Sequence, residues 1–222
     1  MDKKFIILHK ESAFTYAEEK RAPEIYRKFN DKSLSHKISV YSESQKKILI
    51  KSKIAHKNQI TVVGTPRSDY AYRLRKITPK EKIIVFYLIE NYRSTPFSGP
   101  KIKTWSKLYK QTFKYLLDFA KKNPDIQIIL KGKVGVHKKE KLNLNLLPRN
   151  YRFIDGGSGH SLLRNASVVI AFNSTIVFET IASNRNLIIP NFNNENKTYK
   201  NILHNIENKK HFVNSKIQFD KR

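Results

Sequence analysis

Short apolar runs alternate with amphipathic segments through most of the chain. Such runs are typical of strands covered on both faces of a parallel sheet, and they lie at 83–89, 126–130, 151–154, 168–172 and 187–190. Apolar residues at helical spacing predict helices between them, at 105–121, 160–165 and 175–183. This alternation predicts an α/β fold with a Rossmann-like parallel sheet, in which ligands bind at the carboxyl ends of the strands.

The first part of the chain has a smaller pattern of the same kind. Residues 37–41 and 60–63 predict two strands, and Ser42 with Gln45 has the spacing of a capping box that opens a helix through about Lys51. Weaker patterns predict a strand at 5–8 and a helix at 22–30. Together these elements predict a βαβ unit.

Two structural parts with a polar connection are therefore expected. The predicted organisation is a partial N-terminal Rossmann-like unit, a linker that contains Pro79, a second Rossmann-like domain and a polar tail, with bounds 1–72, 73–82, 83–192 and 193–222.

Composition excludes several kinds of chemistry. The 222 residues contain no cysteine, which excludes disulfides, cysteine zinc sites and a thiol nucleophile. The apolar run before His9 is too short for a signal peptide, and no run is long enough to span a bilayer, so a soluble, cytoplasmic protein is expected. No pattern in the sequence requires a metal or a cofactor.

The net charge of +26, from 44 basic against 18 acidic residues, must attract some polyanion. Nucleic acid, anionic lipid and acidic glycan all fit, and a bias towards A/T-rich codons is an equally good explanation of the many lysines. The basic residues are spread along the whole chain, and nucleic-acid-binding motifs are absent from the sequence. We therefore expect no specific nucleic-acid partner.

A polar turn follows the apolar run at 168–172. Asn173, Ser174 and Thr175 lead directly into the helix predicted at 175–183. The free N–H groups and positive dipole end of a helix in this position favour an anion at the carboxyl edge of the sheet. Ser174 or Thr175 also suits the N-cap, and the two roles are compatible.

Glu179 interrupts the apolar sequence of that helix. It stands at neither capping-box position relative to Ser174 or Thr175. A carboxylate in such a place needs hydroxyl or amide donors, such as a ribose diol. The alternative is a solvated or ion-paired residue on the helix face.

The segment 154–192, with its Ser-Thr pair and Glu179 four residues after Thr175, resembles the donor-binding half of GT-B-fold glycosyltransferases. The resemblance is to enzymes of bacterial surface polysaccharide synthesis, in particular the CDP-glycerol glycerophosphotransferase-like group. It implies that the turn at 173–175 contacts the diphosphate of a nucleotide-activated sugar or polyol donor. It also implies that Glu179 binds the ribose.

A second stretch is similar to the sequence that closes the N-terminal domain of the same enzymes. It runs from Ile60 to Asp69 and contains Gly64, Pro66 and Arg67. This implies a hinge, where an ion pair between Arg67 and Asp69 is as well supported as contact with substrate.

The chain also departs from the family pattern. Only about 70 residues precede the predicted linker, so the resemblance implies the C-terminal portion of such an enzyme without most of its acceptor domain. A partner or a second copy that supplies the missing strands is then expected, as are a glycan or lipid-linked acceptor and an anionic membrane surface. Lys131 and Lys133 stand where relatives have a His-Pro pair. They suit either phosphate binding or a solvated strand end.

Three other residues are weaker candidates. His9 and Glu11 follow the first predicted strand, and if the resemblance holds one of them is the base toward an acceptor hydroxyl. His160 begins a helix after a glycine-rich loop, which suits contact with the donor. The alternative is a plain polar loop at His9 and Glu11 and a flexible loop before His160.

Two alternative functions are also compatible with the sequence. A UDP-N-acetylglucosamine 2-epimerase-like enzyme shares the fold, but its His-Arg-x-x-Asn stretch is absent from this sequence. A non-catalytic basic module that binds polyanions would explain the charge and the short first domain together.

Overall fold

The computed structural model describes residues 6–8, 16–28, 35–79, 82–89, 105–134, 147–172, 174–192 and 209–220. The chain divides into two compact units, Met1–Arg67 and Ser68–Arg222. Within the described residues, no helix combines the length and apolarity that crossing a bilayer requires.

The first unit contains a three-stranded parallel sheet in the order β1-β2-β3. Its elements are β1 (Ile6–Leu8), α1 (Tyr16–Lys28), β2 (Lys37–Val40), α2 (Glu43–Lys51) and β3 (Ile60–Val62). A small group of buried apolar residues forms its core: Ile38, Val40, Leu49, Ala55 and Ile60. The βαβ unit predicted from the sequence is therefore present.

The predicted N-cap of α2 is confirmed. Ser42 Oγ accepts a hydrogen bond from the Gln45 N–H at 3.2 Å. Gln45 Oε1 accepts from the N–H of Tyr41 at 3.0 Å, one residue before the donor of a standard capping box. Both side chains therefore fix the start of the helix.

The second unit contains a six-stranded parallel sheet in the order β6-β5-β4-β7-β8-β9. Its strands are β4 (Ile83–Tyr87), β5 (Gln127–Gly132), β6 (Tyr151–Asp155), β7 (Val168–Ile170), β8 (Asn186–Pro190) and β9 (Phe212–Val213). Its helices are α3 (Asp69–Arg73), α4 (Ser106–Lys122), α5 (Gly159–Leu163), α6 (Ile176–Ala182) and α7 (Lys216–Asp220). Numbered from β4, the strand order is 3-2-1-4-5-6, the order of the Rossmann fold. The predicted fold class is confirmed.

The core of the second unit shows why its strands read as continuous apolar runs. Val85 and Phe86 are adjacent in β4 and point to opposite faces of the sheet, yet both are fully buried. The predicted crossover helix α4 places Leu108 and Leu116 in the same core. Burial on both faces makes β4 the centre of the unit.

The boundaries between the parts differ from those expected. The division falls between Arg67 and Ser68, and the predicted linker begins inside the second unit. Ala71 and Leu74 are buried in the core of that unit, because their spacing of three places both on one face of a helical segment. The helical segment thus belongs to the domain, although its sequence is mostly polar.

Part of the predicted C-terminal tail also belongs to the second unit. β9 pairs in parallel with β8, and Val213 and Phe219 are buried. Phe219 contacts the rings of Tyr115 and Phe192. Aromatic burial therefore holds this segment on the sheet.

Candidate functional site

The candidate site lies at the carboxyl edge of the second sheet, where the strand order reverses. β4 pairs with β5 on one side and with β7 on the other. The chain leaves β4 and β7 in opposite directions, which opens the crevice in which doubly wound sheets bind ligands. Tyr87 ends β4, and the polar turn before α6 follows β7.

The polar turn joins β7 to α6 through Ser174 and Thr175, while Asn173 lies outside the described residues. Thr175 is the N-cap residue, but its side chain accepts no capping hydrogen bond. The carbonyls of Ser174 and Thr175 accept the first helical bonds, from Val177 N at 3.1 Å and Phe178 N at 3.0 Å. The predicted strand, turn and helix are present, and the cap is made by the main chain.

Glu179 is buried within α6, with 2% of its side chain exposed. Its Oε2 lies 3.0 Å from Nε2 of His160, whose side chain is 23% exposed. The structure thus brings together two residues that the sequence singled out separately. The partner is an imidazole, not the hydroxyl or amide donor expected from the sequence, so the contact matches the ion-paired alternative, and His160 is the more exposed member of the pair.

Tyr87 supports the same corner of the site from β4. Its hydroxyl donates to the carbonyl of Gly159 at 2.6 Å, at the start of α5. Burial raises the pKa of the Tyr87 phenol, and the carboxylate of Glu179 raises it further. A Cβ on Gly159 would stand 3.1 Å from the Tyr87 ring, so the glycine lets α5 approach the strand closely.

Sequence reasoning did not single out Tyr87 or Tyr70. Tyr87 lies within an apolar run. Its phenolic hydroxyl, which needs a hydrogen-bond partner when it is buried, is the one feature that could have singled it out. Tyr70 on α3 places its ring 6.2 Å from the ring of His160, at an interplanar angle of 41°. It lay in the predicted first part, between the hinge residue Asp69 and the linker, so nothing in the pattern associated it with His160.

The two predicted phosphate-binding lysines differ in their surroundings. Lys131, on β5, is buried, and its ammonium donates to the carbonyl of Gly132 at 2.6 Å. Burial lowers the Lys131 pKa, an effect that the nearby carboxylate of Asp155 opposes. Lys133 follows the strand and is exposed. Of the two, Lys133 is the cation accessible to a phosphate.

The remaining predicted residues belong to the first part of the chain and to the predicted hinge. His9 and Glu11 lie outside the described residues, as does the side chain of Arg67. Gly64 has φ of +74°, as a turn with a glycine requires, and Pro66 and Asp69 are exposed. The described ranges contain no cluster of histidine and carboxylate side chains able to hold a metal ion.

Comparison with known proteins finds similarity only among solved structures; no family model and no curated protein matches the chain. The wall teichoic acid polymerase TagF matches with 16% identity and a TM-score of 0.47, over 84% of this chain and 49% of that one. TarM matches with 14% identity and a TM-score of 0.45, over 98% and 42%.

The structure titled for accessory secretory proteins 1, 2 and 3 of Streptococcus pneumoniae matches with 17% identity and a TM-score of 0.48, over 92% of this chain and 38% of that one. This chain therefore spans less than half the length of each of the three structures. Similarity at this level says nothing about activity.

Proposed function

We propose that the second unit binds the nucleotide-activated donor of a GT-B-type glycosyl- or glycerophosphotransferase of bacterial surface carbohydrate synthesis. The observation that carries the proposal is the contact between Glu179 and His160 at the reversal point of the sheet. A carboxylate with 2% exposure in an apolar core is costly to maintain. Its position at the edge where Rossmann-like sheets bind nucleotides supports a role in binding.

The roles follow from exposure and position. The turn formed by Ser174 and Thr175, with Asn173 before it, faces the phosphates of the donor, and Lys133 adds a point charge. His160 is the member of the pair that reaches solvent, so it meets the nucleoside, and Glu179 holds the imidazole from behind. The mechanism is positional and electrostatic: the donor is held while its leaving phosphate is stabilised.

Calorimetric titration with CMP, CDP and UDP tests the proposal. We expect the intact chain to bind at least one of these nucleotides and Glu179→Ala to weaken binding by roughly 1–3 kcal/mol, the range for loss of a charged hydrogen-bond partner. Asp125→Ala is the matched control, because it removes a carboxylate that is 66% exposed in the same unit. Binding of equal strength in the Glu179 and Asp125 variants would contradict the assignment.

The net charge of +26 favours a second function, a module that binds polyanions without catalysis. Such a module would bind heparin or duplex DNA with an affinity that falls steeply with salt. Glu179→Ala would leave that affinity unchanged. Titrating the native chain and Glu179→Ala with nucleotides and with heparin or duplex DNA therefore distinguishes the two functions.

A further inference from the structure

Arg185 is a buried cation that the proposed donor site does not use directly. It lies between α6 and β8, and only 7% of the residue is exposed. Its Nε donates to the carbonyl of Leu163 at 3.0 Å, and its Nη2 lies 3.2 Å from the carbonyl of Arg164 and 3.4 Å from that of Leu74. One guanidinium thus contacts main-chain carbonyls of two separate segments.

Those carbonyls belong to the ends of two short helices. Leu163 is the last residue of α5 and Arg164 its C-cap, while Leu74 is the C-cap of α3. The last carbonyls of a helix carry its negative dipole end, and a planar cation with several donors suits them well. The Leu74 carbonyl also accepts a hydrogen bond from the Ile77 N–H at 2.9 Å. Helices of five residues are unstable on their own, and α3 and α5 therefore depend on such contacts.

The same two helices carry side chains of the candidate site. His160 is on α5 and Tyr70 on α3, and their rings lie 6.2 Å apart. Glu179 belongs to α6, whose C-cap Ser183 precedes Arg185 by two residues. The N–H of Arg185 also donates to the carbonyl of Thr180, within α6, at 3.1 Å. Arg185 therefore joins all three helices at the end opposite the carboxyl edge of the sheet, where the candidate site lies.

We infer that Arg185 is a positioning residue, which holds α5 and α3 against α6 and thereby keeps His160 in contact with Glu179. The effect on a ligand rests on the proposed function, because Arg185 acts on the nucleotide only through His160. The effect on His160 itself does not depend on any ligand. The two parts can therefore be tested separately.

The test compares Arg185→Lys with Arg164→Lys. Both changes keep the charge, but the Arg164 side chain is exposed and only its carbonyl takes part in the contact. A lysine at 185 has one donor group and cannot bond the carbonyls of Leu163 and Leu74 as a fork does. The ¹⁵N and ¹³C resonances of the His160 ring, assigned from their loss in His160→Asn, report its pairing with Glu179.

We expect Arg185→Lys to shift the His160 resonances and to weaken CDP binding at least tenfold, while Arg164→Lys changes neither. A lower melting temperature with unchanged His160 resonances would show a merely structural role and overturn the inference. If the intact chain binds none of CMP, CDP and UDP, the proposed function fails. The resonances still decide the inference about Arg185 in that case.

A reciprocal measurement covers the case in which Arg185→Lys does not fold. In the otherwise unaltered chain, the Arg185 Nε–H should exchange slowly with water, because it donates to Leu163 in the interior. His160→Asn removes the contact that joins α5 to α6 and should shift this resonance, whereas Asp125→Asn should not. An Arg185 resonance that is unaffected by His160→Asn would overturn the inference.

Discussion

Two tyrosines of the second unit, Tyr87 and the half-buried Tyr151, differ in whether their hydroxyl groups have hydrogen-bond partners. Tyr87 donates to the carbonyl of Gly159 at 2.6 Å. The hydroxyl of Tyr151 is buried and has no hydrogen-bond partner among the described residues. The same substitution at the two positions should therefore have different consequences.

We expect Tyr87→Phe to lower the free energy of unfolding by about 1 kcal/mol, because it leaves the Gly159 carbonyl without this donor. Tyr151→Phe should leave the free energy of unfolding unchanged or raise it by about 1 kcal/mol, because it removes a buried polar atom at constant shape. Urea denaturation of the two variants measures both values. Equal destabilisation would show that Tyr151 has a partner of similar strength.

The two tyrosines also predict an alkaline limit to stability. Burial raises the pKa of each phenol, with further contributions from Glu179 at Tyr87 and Asp118 at Tyr151. A raised pKa means that the folded state keeps its phenolic protons to a higher pH than the unfolded chain does. Both protons are bound in both states below about pH 10, the ordinary tyrosine value, and the free energy of unfolding falls as pH rises above it.

Urea midpoints between pH 8 and 11 should show this fall for the unaltered chain. The fall should be smaller in Tyr87→Phe and smallest in the double variant with Tyr151→Phe. A control substitution at Tyr72, which is 60% exposed, should not alter the fall of the urea midpoint with pH. An identical pH profile in the double variant would contradict the assignment to these groups.

Sequence reasoning at the residue scale found Glu179 but not its surroundings. A lone carboxylate in an apolar helix can be recognised from the sequence alone, because it breaks a periodic pattern. Its contact with His160 joins residues on separate helices, and no local pattern records that pairing. Arg185 was missed for the same reason, since its carbonyl partners lie at positions 74, 163 and 164.

At the scale of elements, one asparagine joins the end of α4 to the strands beside it. Asn150 Nδ2 lies within 2.9 to 3.1 Å of the carbonyls of Ala120, Asn123 and Ile126. The first two carbonyls belong to the end of α4, and the third immediately precedes β5. This amide therefore satisfies helix-end carbonyls and fixes where the next strand begins.

We expect Asn150→Ala to lower the free energy of unfolding by about 1–3 kcal/mol, because several partly buried carbonyls lose a donor. Asn150→Asp should cost more, because it also places a negative charge at the negative end of the helix dipole. Asn165→Ala is the control, since that side chain is exposed. Thermal unfolding measures the order, and an aspartate variant as stable as the native chain would contradict it.

The elements that were predicted correctly are those with a strong local signal. The runs that form β4 and β7 are apolar throughout because the sheet is covered on both faces. The start of α2 is predicted by the spacing of Ser42 and Gln45, whose side chains cap the helix. The segment of α3 was divided between the first part, 1–72, and the linker, 73–82, because its few buried residues are surrounded by polar ones. β9 has two residues, too few for any periodic pattern.

At the scale of the whole molecule, part of the positive charge is arranged in a line. Lys107, Lys110, Lys114 and Lys121 on α4 are exposed, and their spacing places them on one side of the helix. The helix has 17 residues, about 25 Å at the usual rise. A straight row of lysines suits a flat anionic surface, such as that of a membrane.

We expect the chain to sediment with vesicles that contain anionic lipid, and the bound fraction to fall steeply as ionic strength exceeds about 0.15 M. Replacing the four α4 lysines with glutamine should weaken binding more than the same change at four exposed lysines of the first unit, Lys47, Lys51, Lys53 and Lys57. Equal losses would mean that net charge alone matters. Equal binding to neutral vesicles would contradict the prediction altogether.

A transfer reaction requires donor and acceptor to be held together in one site. In GT-B-type enzymes, which the sequence resembles, donor and acceptor meet between two Rossmann-like domains. Here the first unit offers a three-stranded sheet and a small core within its described residues. Holding both reactants in place supplies roughly 7–11 kcal/mol of barrier reduction. We therefore expect this chain alone to bind a donor and hydrolyse it slowly, without dependence on an acceptor.

The measurement is release of nucleotide from CDP-glycerol and from UDP- and CMP-sugars, with and without glycan or lipid-linked acceptors. Glu179→Ala and His160→Asn serve as controls, because slow hydrolysis at the proposed site should fall in both. Acceptor-dependent turnover of about 1 per second or faster lies in the ordinary enzyme range and would show a complete active site within these 222 residues. In that event His9, Glu11 and His160 are the first positions to substitute in identifying the base.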